Sequence, residues 1–272
     1  MIELSTVGIR FSRIERRERT LNQTVRRGLS HVRRLFAATP SADANGDSPL
    51  RNGFWALREI SLRIRRGESV AIVGKNGAGK STLLQVIAGI YRPTVGRADV
   101  RGLVTALLGL NSGFNFELTG NDNIRLSGLL LGLSNGQIDE LAPEIIRFSE
   151  LEDFIDQPVR TYSSGMVARL GFAISTAVAP DVLLLDEVMG VGDGAFRERS
   201  TAKLFELIQH AGVVCLCSHN LAYVRQHCQR AVWLERGKLI MDGPRDTVIE
   251  AYERFLDGRS RNVPVNAMAQ SA

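Results

Sequence analysis

The eight residues Gly74-Lys75-Asn76-Gly77-Ala78-Gly79-Lys80-Ser81 constrain this chain more than any other stretch. Three glycines at this spacing, closed by Lys-Ser, let successive backbone N–H groups turn inward around an anion. The flanks suit that geometry. SVAIV (69–73) is a β-branched run that reads as a buried parallel strand, and STLLQVIAG (81–89) reads as the helix that follows. The N-terminus of such a helix adds its own positive end to the anion site. The pattern therefore predicts a nucleotide-binding loop. Lys80 reaches the β- and γ-phosphates of ATP and the Ser81 hydroxyl holds Mg²⁺, with Thr82 next to it in the first helical turn.

A second apolar run, VLLLDE (182–187), ends in two carboxylates. In phosphate-loop proteins an Asp at such a strand end faces the loop and holds the magnesium shell, a role that falls to Asp186. Glu187 follows directly and is placed to polarise an attacking water. A third apolar strand, GVVCLCS, precedes His219, which by itself reads as structural; a γ-phosphate contact there depends on the family resemblance given below.

With 44% hydrophobic and 23% charged residues the chain reads as globular rather than disordered. No apolar run approaches the ~18–20 residues that span a bilayer, and the N-terminus has no basic-then-apolar leader. The expected place is thus the cytosol. Cys215 and Cys217 lie in the apolar strand and Cys228 stands alone, which suits buried thiols better than a metal or redox site. The net charge of +5 comes from one segment. Residues 10 to 36 hold nine arginines against Glu15 and Glu18, and the remainder is close to neutral, so the basic balance says nothing about the core, and nucleic acid is not expected as a partner. Within that segment Ile14, Leu21, Val25, Leu29, Val32 and Phe36 keep to one helical face. It reads as a basic helix on a membrane surface or membrane partner, or else as an ordinary packed helix or a loop. A polar stretch, TPSADANGDSP, links it to the alternating strand and helix patterns of 54–257.

Tyr162-Ser163-Ser164-Gly165-Met166 stands just before an apolar helix. It resembles the signature motif of ATP-binding cassettes, usually LSGGQ, in the form found in polysaccharide exporters. GKNGAGKS, YSSGM, LLLDE, VGD (Val191 to Asp193) and Ser218-His219 follow the order of that family, and the resemblance runs from about Phe54 to Tyr252. FWAL, SGFNFELTG, FIDQPVRTYSSGM and LLLDEVMGVGD are similar to the branch that exports O-antigens, teichoic acids and capsules. The resemblance implies an α/β phosphate-loop fold with a RecA-like core and mixed, mostly parallel sheet, an N-terminal antiparallel β subdomain and a small helical subdomain. It places the cassette at 1–257, with the basic insertion at about 12–50, the helical subdomain at about 110–165 and a tail at 258–272. It also implies a homodimer in which Ser163, Ser164, Gly165 and Met166 of one copy close on ATP held by the other, with Asp193 in the dimer loop. Physically, a Ser-Gly pair at a helix start is a second anion site. The resemblance further implies that the dimer drives a multi-span permease that carries a lipid-linked polysaccharide, at the cytoplasmic face of the membrane.

Two positions depart from the family pattern. Gly109 stands where the family has Gln or Glu, so the contact there is missing or moves to Asn111. The adenine-stacking aromatic aligns near Arg51, with Phe54 or Trp55 as substitutes, since an Arg plane also stacks on a base. Another transporter class is the runner-up. A non-transport cassette of DNA repair or translation fits less well, because the Lys80 to Asp186 spacing leaves no room for a long coiled-coil insertion and one cassette is present. Relatives with a sugar-binding C-terminal domain continue well past the cassette, so the expectation here is export without recognition of a terminal sugar. Only four of 34 basic residues are lysines, which suggests a GC-rich genome and a cell-wall galactan as one possible cargo.

Overall fold

Three apolar runs separated by helical segments fold as neighbouring parallel strands. In the computed structural model, which describes residues 1–12, 53–107, 113–186 and 193–258, they are β3 (Ser69–Val73), β6 (Val182–Asp186) and β7 (Val213–Cys217). They belong to a six-stranded sheet of order β5-β6-β7-β3-β8-β9, with β5 at Val104–Leu107, β8 at Arg230–Glu235 and β9 at Lys238–Pro244. Every pairing from β5 to β8 is parallel, and β9 closes the edge antiparallel to β8. Parallel strands need both faces covered, which is why β6 and β7 are apolar at nearly every position rather than alternating. A second sheet of three strands runs β2-β1-β4, from β1 (Ile2–Ser12), β2 (Gly53–Ile64) and β4 (Val95–Val100). Within it β1 and β4 pair antiparallel, and the α/β architecture agrees with the sequence reading.

Among the described residues, two groups of helices accompany the sheets. Helix α1 (Lys80–Ile87) follows β3, and α5 (Gly194–His210), α6 (Leu221–His227) and α7 (Arg245–Leu256) accompany the later strands. Trp233, Phe172 and Phe196 are fully buried in the main core with Leu183, Leu185 and Leu216. Helices α2 (Gly120–Leu130), α3 (Asn135–Ser149) and α4 (Ser164–Thr176) share a separate core of Ile124, Ile138, Val159, Leu170 and neighbours. Both α2 and α3 start with a capping box, Thr119 with Asp122 and Ser134 with Gln137. Asn123 is fully buried and ties the SGFNFELTG loop to α2. Its amide donates to the carbonyls of Asn115 (2.9 Å) and Thr119 (2.8 Å), and its Oδ1 accepts from the Asn115 N–H at 2.8 Å.

The chain divides into two units, Met1–Ile9 with Ala56–Ala272 and, separately, Arg10–Trp55. Within the second, the rings of Phe11 and Phe54 are 5.6 Å apart and the Arg10 guanidinium lies 5.7 Å from the Trp55 ring. The basic amphipathic segment, Arg51, Gly109, Asn111, Glu187 and Val191 lie outside the described residues. None of the described helices is long and apolar enough to cross a membrane.

Candidate nucleotide site

The register of the parallel sheet decides what meets what. Asp186 of β6 pairs with Cys217 of β7, and Cys217 pairs with Ile72 of β3. These three strands therefore end side by side. The phosphate loop leaves β3 two residues past Ile72, and His219 lies two residues past Cys217. The sheet thus gathers the loop, the half-buried Asp186 and the Ser218-His219 turn at its carboxyl edge, where open α/β sheets bind ligands. Ser218 is buried and its hydroxyl accepts from the Asn220 N–H at 3.1 Å, while His219 is exposed. Asn220 then caps α6 by accepting from Tyr223 N–H.

The loop is shaped by its backbone. Gly74, Gly77 and Gly79 all have positive φ, and Gly79 occupies the N-cap of α1 in the left-handed region. A Cβ on Gly79 would stand 2.7 Å from the Ala56 carbonyl oxygen, so no larger residue fits. Lys75, Asn76 and Gly77 are exposed, as is Ser81, while Ala78 is buried and Thr82 half-buried. Lys80 is only 7% exposed. Its ammonium donates to the carbonyls of Gly74 (2.8 Å) and Lys75 (3.2 Å), which satisfies the charge across the mouth of the loop. The Lys75 carbonyl also accepts from Ala78 N–H at 3.0 Å. The Lys75 ammonium itself sits 4.6 Å above the ring of Phe255.

Sequence reasoning missed the support behind the loop. The turn joining β8 to β9 holds Arg236 at φ 49° and Gly237 at φ 76°. Gly237 N–H donates to the Ala78 carbonyl at 2.9 Å, and the Gly237 carbonyl accepts from Arg58 N–H at 2.7 Å. A Cβ on Gly237 would lie 2.6 Å from the Ala56 oxygen. Gly237→Ala is expected to cost about 1–3 kcal/mol of stability from the left-handed strain and overlap combined. A urea melt would register it, and nucleotide affinity should fall with it because the phosphate loop loses its backing. The Arg236-Gly237 pair is local to the turn, but its hydrogen bond to Ala78 depends on how distant strands pack.

The signature segment starts helix α4. The Ser163 side chain caps the helix by accepting from Met166 N–H at 3.2 Å, and Ser163, Ser164 and Gly165 are all exposed. Tyr162 points the other way. It is buried, its hydroxyl donates to the Phe154 carbonyl at 2.7 Å, and burial, with Asp156 nearby, raises its pKa. Asp193 is the exposed N-cap residue of α5. Phe54 is 60% exposed. Cys215 and Cys228 are buried as expected, and burial pushes both thiols up to about 12, which keeps them protonated and inert.

A glycine loop between a buried parallel strand and a helix, with a carboxylate ending the strand two places along the sheet, defines a phosphate-loop nucleoside-triphosphatase fold. Residues 57–190 match the ABC transporter family model. The chain is 45% identical to ABC transporter protein AbcA of Aeromonas salmonicida, over 75% of its own length and 66% of the relative's. It is 44% identical to the teichoic acids export ATP-binding protein TagH of Lactococcus lactis, over 75% of this chain and 43% of that one. With the O-antigen export system ATP-binding protein RfbB of Klebsiella pneumoniae it shares 42% identity, over 75% of this chain and 82% of the relative. The chain belongs to the ATP-binding-cassette (ABC) transporter family. It spans less than half the length of the Lactococcus relative. Its fold matches a solved ATP-binding subunit of an ABC transporter with a TM-score of 0.65 at 19% identity, covering 96% of this chain and all of that one. The dimeric post-hydrolysis cassette MJ0796 bound to ADP and Pi matches with a TM-score of 0.61, also at 19% identity, over 90% of this chain and 98% of that one.

Proposed function

We propose that this chain is the ATP-hydrolysing subunit of an exporter that moves a lipid-linked polysaccharide of O-antigen or teichoic-acid type across the cytoplasmic membrane. The observation that carries the reading is the row of strand ends that gathers the phosphate loop, Asp186 and His219 at one edge. The names of the export relatives supply the cargo class. The cassette comprises 1–257, with a basic insertion at about 12–50, a helical subdomain at about 110–165 and a tail at 258–272.

In this reading the backbone N–H groups from Gly74 to Ser81, with Thr82, cradle the ATP phosphates, and Lys80 turns from its two carbonyls to the β/γ oxygens. Phe54 or Arg51 packs on the adenine. The donors suit Mg²⁺. An exposed Ser81 hydroxyl and the Asp186 carboxylate are hard oxygens, too few for a closed protein cage and enough for an ion shared with phosphate. Such an ion neutralises charge on the β and γ oxygens. Glu187 accepts the proton of the attacking water, and His219 steadies the γ-phosphate. Ser163, Ser164, Gly165 and Met166 meet ATP of a second copy, across an interface that includes Asp193. ATP then favours the closed dimer and hydrolysis releases it.

A groove of about 340 Å³ between the end of α1, β5 and helices α2 and α4 suits the permease. Ile90 and Leu130, both exposed, lie at it together with Phe114 and Ile174, and a short amphipathic cytosolic helix of the partner fits such a surface. Affinity capture of the chain from membranes solubilised in mild detergent is expected to bring down a multi-span protein, and Leu130→Glu should release it. Recovery of ribosomes or DNA instead would overturn the transport reading.

A further inference from the structure

The geometry points to Glu150 as a positioning residue that ties the signature helix α4 to helix α5. Glu150 ends α3 in the left-handed region, at φ 55° and ψ 48°. This is a conformation that glycine adopts freely and a side chain only with strain. A residue kept there against its backbone preference points to a task for its carboxylate.

That carboxylate holds two arginines at once. Oε2 accepts from Arg169 of α4 at 2.8 Å, and Oε1 accepts from Arg199 of α5. The arginines are braced on rings. The Arg169 guanidinium lies 5.8 Å from the centre of the buried Phe196 ring, and Arg199 lies 5.5 Å from Phe196 and 6.0 Å from Phe148. Phe148 and Phe196 meet edge to face at 5.5 Å, so the ring pair fixes the direction of both cations. The Glu150 and Arg199 side chains are nearly half exposed, at 47% and 43%, and an exposed pair usually does little. The bridge therefore counts through its geometry, one carboxylate shared by two ring-braced arginines.

The placement along the helices supplies the function. Arg169 is the sixth residue of α4 and Arg199 the sixth of α5. Each stands about 7–8 Å along its axis from the helix start. Glu150 therefore holds the separation of two helix starts, one led by the exposed capping side chain of Ser163 and the other by exposed Asp193 at the N-cap position. The inference rests on the reading above, in which those two starts face a second copy of the chain. A clamp that sets their spacing acts on how well the copies close on ATP and not on how one copy binds nucleotide.

The test is ATP-dependent dimerisation in a Glu187→Gln background, by sedimentation, alongside nucleotide affinity of the monomer and a melting temperature. Glu150→Gly removes the carboxylate and relieves the backbone, whereas Glu150→Gln removes the charge and keeps the strain. Losing about threefold per clamp multiplies over the two copies to a dimer weakened about tenfold, for both variants. Monomer affinity for ATP should stay within about twofold, and Glu150→Gly should melt no lower than its parent. A role confined to folding would make dimer affinity follow melting temperature across the pair. If Glu150→Gly does lower the melting point, Arg199→Gln breaks the bridge from α5 and must weaken the dimer equally. Dimerisation of Glu150→Gly and Arg199→Gln at parental strength would overturn the clamp alone. A Glu187→Gln parent that never dimerises would instead remove the reading beneath it.

Discussion

Glu187→Gln is expected to lower ATP turnover by about 10²–10⁴-fold, the usual contribution of a positioned general base, while leaving nucleotide binding intact. The amide is nearly isosteric with the carboxylate, so fold and pocket shape are preserved and the loss belongs to proton acceptance. The same substitution should convert a transient dimer into a persistent one. With hydrolysis blocked, ATP stays at the interface, and a ligand that binds only the closed state drives closure by mass action. Single-turnover hydrolysis and analytical sedimentation, with and without ATP, read the two effects separately. Normal turnover would assign the base elsewhere. Loss of turnover without a trapped dimer would keep the base and sink the two-copy sandwich.

Lys80→Met should have the opposite signature, with both binding and turnover lost. Lys80 is only 7% exposed, and its ammonium already sits between the Gly74 and Lys75 carbonyls at the mouth of the loop. Methionine fills the channel of the stem and cannot meet phosphate charge. A charge-assisted contact to phosphate in a partly dry site is worth about 2–4 kcal/mol, or roughly 30- to 1000-fold in affinity. Titration with a fluorescent nucleotide measures it, and ATP-driven dimerisation should vanish together with binding. Retained affinity would mean that the backbone N–H groups alone carry the phosphates and that Lys80 acts on the fold.

Much of the fold was legible because it depends on local patterns. SVAIV, VLLLD and GVVCLC are runs whose β-branched and aliphatic residues suit strands buried on both faces, and each became one within a residue or two of the expected bounds. The glycine loop was legible for a related reason. Its backbone geometry depends on residues within eight positions of one another, so spacing alone describes it. The helix after it begins at Lys80, one residue earlier than its apolar pattern suggested, because Lys80 is helical while its side chain turns back on the loop. The expectations on Glu187, Arg51, Gly109 and Asn111 fall outside the described residues.

By itself the sequence determined the phosphate loop, its strand and helix, the carboxylate at the end of β6 and the capped start of α4, all properties of neighbouring residues. Only the tertiary structure decided that β3 lies between β7 and β8, so that residues 72, 186 and 217 share one row. It alone set Gly237 behind Ala78, 159 positions away in the chain, and brought Glu150 to Arg199, 49 positions away. The physical reason is that hydrogen bonds and ion pairs between distant segments depend on sheet register and helix packing. Those are chosen by the burial of whole apolar faces, and no single residue type announces them in advance.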